Sequence, residues 1–389
     1  MTSRKPLCSI TRALHIGKYF PPHHGGMETY LKELLLSTQQ QGVSCCALVH
    51  KSKIGLKSNW EIYSHDDSKL LVVRAATWLR VLFTPVSPLF AAQLRRLIAE
   101  QDPQILHLHL PNPSALFALL LPSARRLPWI IHWQSDVSTD RGSLLLKAFY
   151  YLFRPLERAL LKKARWIVVS SPNYLRYSEA LKAFKKKCRV IPLGISDRFG
   201  QVPSEFISHS GPLRVLALGR LTHYKGFDLL IEAVAQTSNV SLRIVGEGAQ
   251  RKHLVQYAAQ LGVQGRVSFL GSLSDDERDK ELLESDCLCL PSTDRAESFG
   301  LVLLEAMSAG KPCIASNVVG SGMSWLIEDG HNGLIFQNNS VNALSLALNT
   351  LQQNRGLLDR FGKNGRTKYE QSFTVRQTTK AVLSLYSSI

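Results

Sequence analysis

Two carboxylates and two cations carry most of the chemistry this chain can do. Glu297 and Glu305 stand eight positions apart in DRAESFGLVLLEAMSAGKP (294–312), with a glycine and a block of aliphatic residues between them. The stretch reads as a buried strand, DCLCLPS, then a loop, TDRAES, at its carboxyl end, then a helix, FGLVLLEAMSAG, that closes at Gly310. After Ser298, the amides of Phe299, Gly300, Leu301 and Val302 become the unpaired N–H groups of a helix start. With the helix dipole, such groups bind phosphate. Gly300 lets an anion come close to the backbone. Glu305, further along, can accept from paired hydroxyls such as those of a ribose, and Glu297 can reach a group beyond the phosphate. The plain alternative is that Glu297 only favours the helix N-terminus and Glu305 is solvated. A carboxylate inside an aliphatic helix that leads to a buried turn favours the chemical reading.

The cations are Arg220 and Lys225 in LALGRLTHYKGFDLLIEA (216–233). A strand ends at Gly219, the cations occupy the loop, and Gly226 opens a helix. Arginine as a bidentate fork and lysine as a point charge suit a diphosphate; two solvated loop cations is the alternative. In RIVGEGAQRKHL, Glu247 follows a strand between two glycines and can accept from a base or sugar. The third glycine of a dinucleotide fingerprint is missing, and taken alone the stretch is better read as a plain tight turn. In KYFPPHHGGMETYLKEL, Gly25 and Gly26 follow the first strand and start a helix, which lets amides approach a ligand or simply makes a turn. In PWIIHWQSDV, a strand delivers His132, Gln134 and Asp136 to its carboxyl end. His132 alternates with Ile130 as a core histidine does, and Gln134 and Asp136 are better placed to meet an acceptor.

The elements that must position these residues alternate as strand and helix throughout. ALHIGKYF, VSCCALV, QILHLHL, PWIIHW and RWIVVS are strand-like, with amphipathic helices between them. The rhythm restarts after the polar stretch 196–212 with LRVLALG, VSLRIVG, RVSFLG, DCLCLP and PCIAS, and Ser274 with Glu277 fits a capping box. The expectation is an α/β protein of two doubly wound, Rossmann-like domains, 1–195 and 213–368. A 196–212 linker joins them, and a helix at 369–389 is free to dock on either. Ligands of such sheets lie at the carboxyl ends of the strands, and a cleft between the domains is expected to gather them.

Composition narrows the partners. Residues 1–200 hold 29 Lys/Arg against 12 Asp/Glu, whereas the rest of the chain holds 18 of each, so the excess of +17 lies wholly in the first half. A basic half calls for an anionic partner: phospholipid, nucleic acid or polyphosphate. SLLLKAFYYLFRPLERALLKKARW (143–166) sets Lys147, Arg154, Arg158 and Lys162 along one helical face beside a large apolar one, and LKAFKKKCR adds a second cluster. Each such charge near an anionic membrane contributes about 1 kcal/mol, which predicts docking without insertion. No exposed aromatics interleave with these clusters, so nucleic acid is not expected. Seven cysteines without paired metal-ligand spacing predict a reducing compartment. The N-terminus has no apolar signal-like run, and the longest apolar run, ALFALLLP, falls far short of a bilayer span.

Taken in order, PPHHGGMETY, HWQSD, GRLTHYKG, VGEG and ESFGLVLLEAMSAGKP resemble the retaining glycosyltransferases of family 4, which have the GT-B fold. The E-x7-E pair is the most specific element, and the likeness runs over nearly the whole chain. It implies that Arg220 and Lys225 hold a donor diphosphate, that Glu305 holds ribose hydroxyls, that Glu297 contacts the donor sugar, and that Gly25 and Gly26 lie near the donor phosphate. HWQSD, SSPNYL and VGSGMSW look most like bacterial mannosyltransferases of O-antigen and exopolysaccharide assembly. The resemblance therefore implies GDP-mannose as donor and a lipid-diphosphate-linked glycan as acceptor, at the cytoplasmic face of the membrane. Gln134 stands where these relatives carry a histidine. Glutamine cannot titrate, so either that position orients the acceptor, or His132 substitutes, or activity is reduced; the orienting role is the reading adopted. No Asp-x-Asp-like pair sits at a strand end, so no metal and no cofactor beyond the sugar nucleotide is expected. A UDP-sugar donor, a non-catalytic nucleotide-sugar or nucleic-acid binder, and a nucleotide-sugar epimerase remain alternatives.

Overall fold

The fold comes from a computed structural model, which describes residues 10–23, 25–66, 68–81, 84–137, 144–200 and 211–389, with the side chains of 144–146 excepted. The chain forms two compact units. Unit 1 is Met1–Ser196 together with Val375–Ile389, and unit 2 is Asp197–Thr374.

Among its described residues, unit 1 has ten strands: β1 (Arg12–Ile16), β2 (Ser44–Ile54), β3 (Asn59–His65), β4 (Ser68–Thr77), β5 (Leu79–Val81), β6 (Thr84–Val86), β7 (Ile105–Leu110), β8 (Trp129–Trp133), β9 (Trp166–Val169) and β10 (Cys188–Val190). Eight of them form one sheet in the order β10-β9-β8-β7-β1-β2-β4-β3, and β5 and β6 make a separate ribbon. Every pairing in the large sheet is parallel except β3 with β4. The antiparallel edge and the ribbon depart from the expected alternation of parallel strand and helix: β3 buries none of its residues, β5 is exposed throughout and β6 buries one, so they carry little apolar signal.

Strand alternation sends two different populations to the two sheet faces. Leu14, Ile16, Leu106, Leu108, Leu110, Trp129, Ile131 and Trp133 pack in one core with Phe90, Leu94 and Leu97 of a helix at Phe90–Gln101. The opposite face carries His15, His107, His109 and His132, brought together by the register that sets His15 beside His107 and His109 beside His132. Over this face lie helix α1 (Gly26–Gln40) and the C-terminal helix Val375–Ser387. Thr378 Oγ1 donates to Pro192 O (2.9 Å) and the Val375 N–H to Ile195 O (2.9 Å). The return to unit 1 begins at Val375 rather than at Tyr369, which is fully buried within unit 2.

Unit 2 is a six-stranded, wholly parallel sheet in the order β13-β12-β11-β14-β15-β16. Its strands are β11 (Leu213–Leu218), β12 (Val240–Val245), β13 (Val267–Gly271), β14 (Cys287–Leu290), β15 (Cys313–Asn317) and β16 (Gly333–Gln337). β14 is buried along its whole length, as a short central strand of a doubly wound sheet must be. Four helices matter for the site, numbered after α1: α2 (Phe227–Ala235), α3 (Asp275–Glu284), α4 (Leu301–Ser308) and α5 (Gly356–Ser372). The capping box forms at the start of α3: Ser274 N donates to Glu277 Oε2 (2.8 Å) and Glu277 N to Ser274 Oγ (3.3 Å). Asp197 and Arg198 belong to unit 2, where Arg366 of α5 donates to both Asp197 oxygens (2.9 and 2.5 Å). Of the expected linker, 201–210 lies outside the described residues.

Candidate active site

In a doubly wound sheet, the loops on either side of the point where strand order reverses diverge and leave a crevice. In unit 2 that point lies between β11 and β14. Lys225 follows β11 and Glu297 follows β14, and they meet: Lys225 Nζ stands 2.5 Å from Glu297 Oε2. Both are nearly buried, with side chains 10% and 13% exposed, and Ser292 Oγ also donates to Glu297 Oε2 (3.3 Å). Burial by itself would lower the Lys225 pKa, but Glu297 with Tyr224 outweighs burial and Arg220, and the pKa is raised. The amine is a firmly charged cation. Arg220 is exposed in the same loop.

Gly226 holds the two loops together. Its φ is +66°, and a Cβ there would meet Pro291 O at 2.3 Å, so only glycine lets the β11 loop lie on the end of β14. The Thr293 N–H donates to Tyr224 O (2.7 Å) across the same seam. The VGEG turn is stitched to the Arg220 loop by Leu221 N to Glu247 O (3.0 Å) and Gln250 N to Leu221 O (3.1 Å). The Glu247 side chain is half exposed, 3.4 Å from Arg251 Nε.

The helix after Glu297 starts two residues later than expected. Gly300 takes a left-handed φ of +89° as its N-cap, and Leu301 and Val302 open α4. Phe299 is buried before the helix, its ring against Trp325 and Phe373, and Ser298 O accepts from Gly322 N (2.8 Å). The amides that open the helix are therefore those of Leu301 and Val302, with Leu303 N donating to Gly300 O (2.9 Å) and Phe299 and Ser298 anchoring the approach. Glu305 is not solvated: it is 6% exposed and has Arg198 Nη2 and Arg278 Nε each 3.8 Å from one carboxylate oxygen. Those are ion-pair distances, longer than hydrogen bonds, so the carboxylate keeps acceptor capacity beside two cations. Sequence reasoning missed both arginines; one sits just after the end of unit 1 and the other in a charged helix, where nothing marks it out.

In unit 1 the order reverses between β1 and β7. Gly26 is the first residue of α1, and a Cβ on Gly25 would come within 2.3 Å of Glu28 Oε2. Glu28 is buried and lines a narrow crevice with Tyr19, His109 and Gln134. Nothing along the chain marks Glu28, because an acidic residue in a first helical turn is ordinary. The Gln134 N–H donates to Leu110 O (2.9 Å), carrying the β7–β8 pairing one residue past the strand and setting its side chain in the crevice wall. Asp136 turns inward: it accepts from Trp133 Nε1 (2.9 Å) and Ser178 Oγ (2.7 Å), and its N–H donates to Tyr174 Oη (2.5 Å). It braces the loop that follows β8.

His132 requires a correction. It is fully buried, stacked on His107 and His109, with Tyr30 edge-on. Burial pushes its pKa down to about 3, so it is a neutral core ring one step below the strand end and cannot take over the role of Gln134 at the crevice.

The basic helix is found at Leu144–Lys163. Lys147, Arg154, Arg158 and Lys162 are all exposed. So are Phe149, Tyr151, Leu152 and Leu156, with Tyr151 78% and Leu152 73% exposed, which corrects the expectation that no exposed aromatics interleave with the basic residues. Of the second cluster, Lys187 is occupied: its amine donates to Lys162 O (2.6 Å) and Ala164 O (2.8 Å) at the helix C-terminus. Among the described residues, no helix is long and apolar enough to cross a membrane.

Two family models match the two halves of the chain: a glycosyl transferase 4-like domain over residues 25–194 and glycosyl transferases group 1 over 203–368. The D-rhamnosyltransferase WbpZ of Pseudomonas aeruginosa is 31% identical over 93% of this chain and 92% of its own length. The O-antigen chain mannosyltransferase C of Escherichia coli is 28% identical over 97% of this chain and 98% of its own. Among solved structures, Anabaena HepE in complex with UDP superposes with a TM-score of 0.72 at 19% identity, covering 97% of this chain and 100% of that one.

Proposed function

Because the chain belongs to glycosyltransferase family 4 and has the GT-B fold, we propose that it moves a hexose, with mannose from GDP-mannose as first choice, to a lipid-linked glycan during cell-surface polysaccharide synthesis. The observation that carries this reading is the Lys225–Glu297 pair at the switch point of unit 2. A buried cation there, beside Arg220 and the amides that open α4, is what a departing diphosphate requires. Glu297 is a carboxylate within reach of whatever the phosphate carries. Glu305, buried between Arg198 and Arg278, is the acceptor for ribose hydroxyls.

The motifs of unit 2 offer the sugar one carboxylate, Glu297, and not the flanking pair of a retaining glycosidase, since Glu305 is held by Arg198 and Arg278. The mechanism we propose is a front-face process. The bond from the anomeric carbon to phosphate oxygen breaks, the bond to the acceptor hydroxyl forms on the same face, and the hydroxyl proton passes to the departing phosphate. Arg220, Lys225 and the helix start stabilise the charge that develops, which is usually the largest catalytic contribution. Unit 1 holds the acceptor, with Gln134 orienting it, and the exposed apolar and basic face of its Leu144–Lys163 helix rests on the anionic inner surface of the cytoplasmic membrane. No metal takes part in this scheme.

The test is product analysis by mass spectrometry with purified protein, a panel of nucleotide sugars and lipid-linked acceptors, with and without chelator. The proposal expects nucleoside diphosphate release and a retained anomeric configuration with a GDP-sugar, insensitive to chelator. No turnover with any GDP-sugar rejects the donor assignment. UDP is the second reading, favoured by the UDP that the structural neighbour HepE binds. Leu152→Asp with Tyr151→Asp should abolish sedimentation with phosphatidylglycerol vesicles while leaving the melting temperature unchanged; undiminished sedimentation rejects the membrane face.

A further inference from the structure

The helix-covered face of the unit 1 sheet holds an interior hydrogen-bond chain that the proposed reaction does not use. Tyr386, on the C-terminal helix, places its hydroxyl 2.8 Å from His107 Nδ1 and 3.2 Å from His15 Nε2. His15 Nδ1 in turn lies 3.1 Å from His109 Nε2. His109 is in the wall of the crevice that Gln134 and Glu28 line. All four side chains are buried. The chain has two ends, His107 Nε2 and His109 Nδ1, and neither has a hydrogen-bond partner among the described residues.

Burial keeps the three rings neutral, so each carries one N–H and one lone pair. The chain can then run in two senses. In one, His107 donates to Tyr386, Tyr386 to His15 and His15 to His109, and the free end of His109 is an N–H. In the other, every proton is reversed and the free end of His109 is a lone pair. A hydroxyl donates once, so the phenol cannot donate to both rings: it either donates to His15, which leaves His109 ending in an N–H, or accepts from His15, which leaves His109 ending in a lone pair. The same rings could suggest a metal, since His15, His107 and His109 offer nitrogens within 4.8 Å of one another. Their planes are stacked, however, at 25° for His15 on His107 and 11° for His107 on His109. Lone pairs lie in the ring planes and so run alongside one another, and two of the nitrogens already face each other in a hydrogen bond.

We propose that Tyr386 is a positioning residue: through His15 it locks His109 in a single tautomer at the crevice wall, so that the C-terminal helix fixes whether that wall presents a donor or an acceptor. The consequence for turnover rests on the reading of the crevice as the acceptor side; the tautomer itself does not.

The experiment is long-range ¹H–¹⁵N spectroscopy of the histidine rings in the full-length protein and in Tyr386→Phe, with acceptor KM and kcat measured on both. The wild type should show one His109 tautomer and Tyr386→Phe an average of two, with acceptor KM raised about 3- to 10-fold, donor KM unchanged and kcat changed less. His107→Phe, which leaves the phenol donating to His15, should keep a single tautomer and so separates the coupling from loss of packing. An averaged His109 signal in the wild type, an unchanged one in Tyr386→Phe, or ring nitrogens shifted by a stoichiometric bound metal would each overturn the proposal. If no acceptor is turned over by the wild type, the function reading fails while the tautomer measurement still decides this one.

Discussion

Replacing Lys225 by methionine is the most informative single change. The substitution removes the cation and leaves Glu297, 13% exposed, with a single long hydrogen bond from Ser292 at 3.3 Å. Breaking a buried pair by deleting one partner costs about 3–5 kcal/mol, because the remaining charge is desolvated and uncompensated. For a domain the size of unit 2, each kcal/mol shifts the melting temperature by about 2–4 °C, so Lys225→Met should melt about 6–20 °C lower. The Lys225→Met/Glu297→Met double variant removes both charges and should recover most of that loss. Activity should not follow stability. Both variants lack the cation that faces the diphosphate and should lose about 10²–10³-fold in kcat. The raised Lys225 pKa means that the pair's contribution is complete at neutral pH and fades only as pH climbs past the ordinary lysine value of 10.5. Calorimetry at pH 7.5 and donor turnover are the assays. If Lys225→Met melts within about 2 °C of wild type, the pair does not stabilise the fold, and if the double variant recovers turnover along with stability, the cation does not act on the diphosphate.

Gly226→Ala must place a side chain at φ +66°, against Pro291 O, and so push the Lys225 loop off the end of β14. The conformation alone costs about 1–2 kcal/mol, and turnover should fall more than tenfold with the protein still folded by circular dichroism. His15, His50 and His132 have pKa values held near 3 by burial, and those of His107 and His109 are also far below normal. The unfolded chain therefore binds protons that the folded chain refuses once pH drops below 6.5. Each ring loses about 1.4 kcal/mol between pH 7.5 and 5.5, and five together approach the whole stability of a domain. Thermal melts should show a steep loss over that range, and a flat profile would contradict the buried cluster. Glu157 behaves oppositely: burial raises its pKa to about 7, against a hydrogen bond from Tyr150 (3.0 Å). Its neutral form is favoured in the fold, and stability falls as pH rises from 4.5 through 7. Glu157→Gln should then stabilise by about 3 kcal/mol at pH 8 and by almost nothing at pH 4.5, read from melts at the two values.

Much of this could be read from residues in a row. The alternation of apolar strands and amphipathic helices, the glycines at the helix starts at Gly226 and Gly300, the capping box at Ser274 and the ordered motifs around Arg220, Lys225 and Glu297 are local in sequence, because strand period, turn chemistry and helix ends are set by neighbours. What required tertiary structure was everything that depends on register and on which face meets which. Lys225 and Glu297 are 72 residues apart in the chain and meet only because β11 and β14 are adjacent at the switch point. Arg198 and Arg278 reach Glu305 from segments with no motif of their own. His132 seemed able to serve the crevice until the pairing of β7 with β8 showed it stacked one residue below. The four histidines share a face because parallel register lines up alternating positions from three strands, and a shift of one residue would send them into the opposite core. No pattern along the chain encodes that register, so the buried hydrogen-bond chain to Tyr386 belongs to the fold and not to any stretch of sequence.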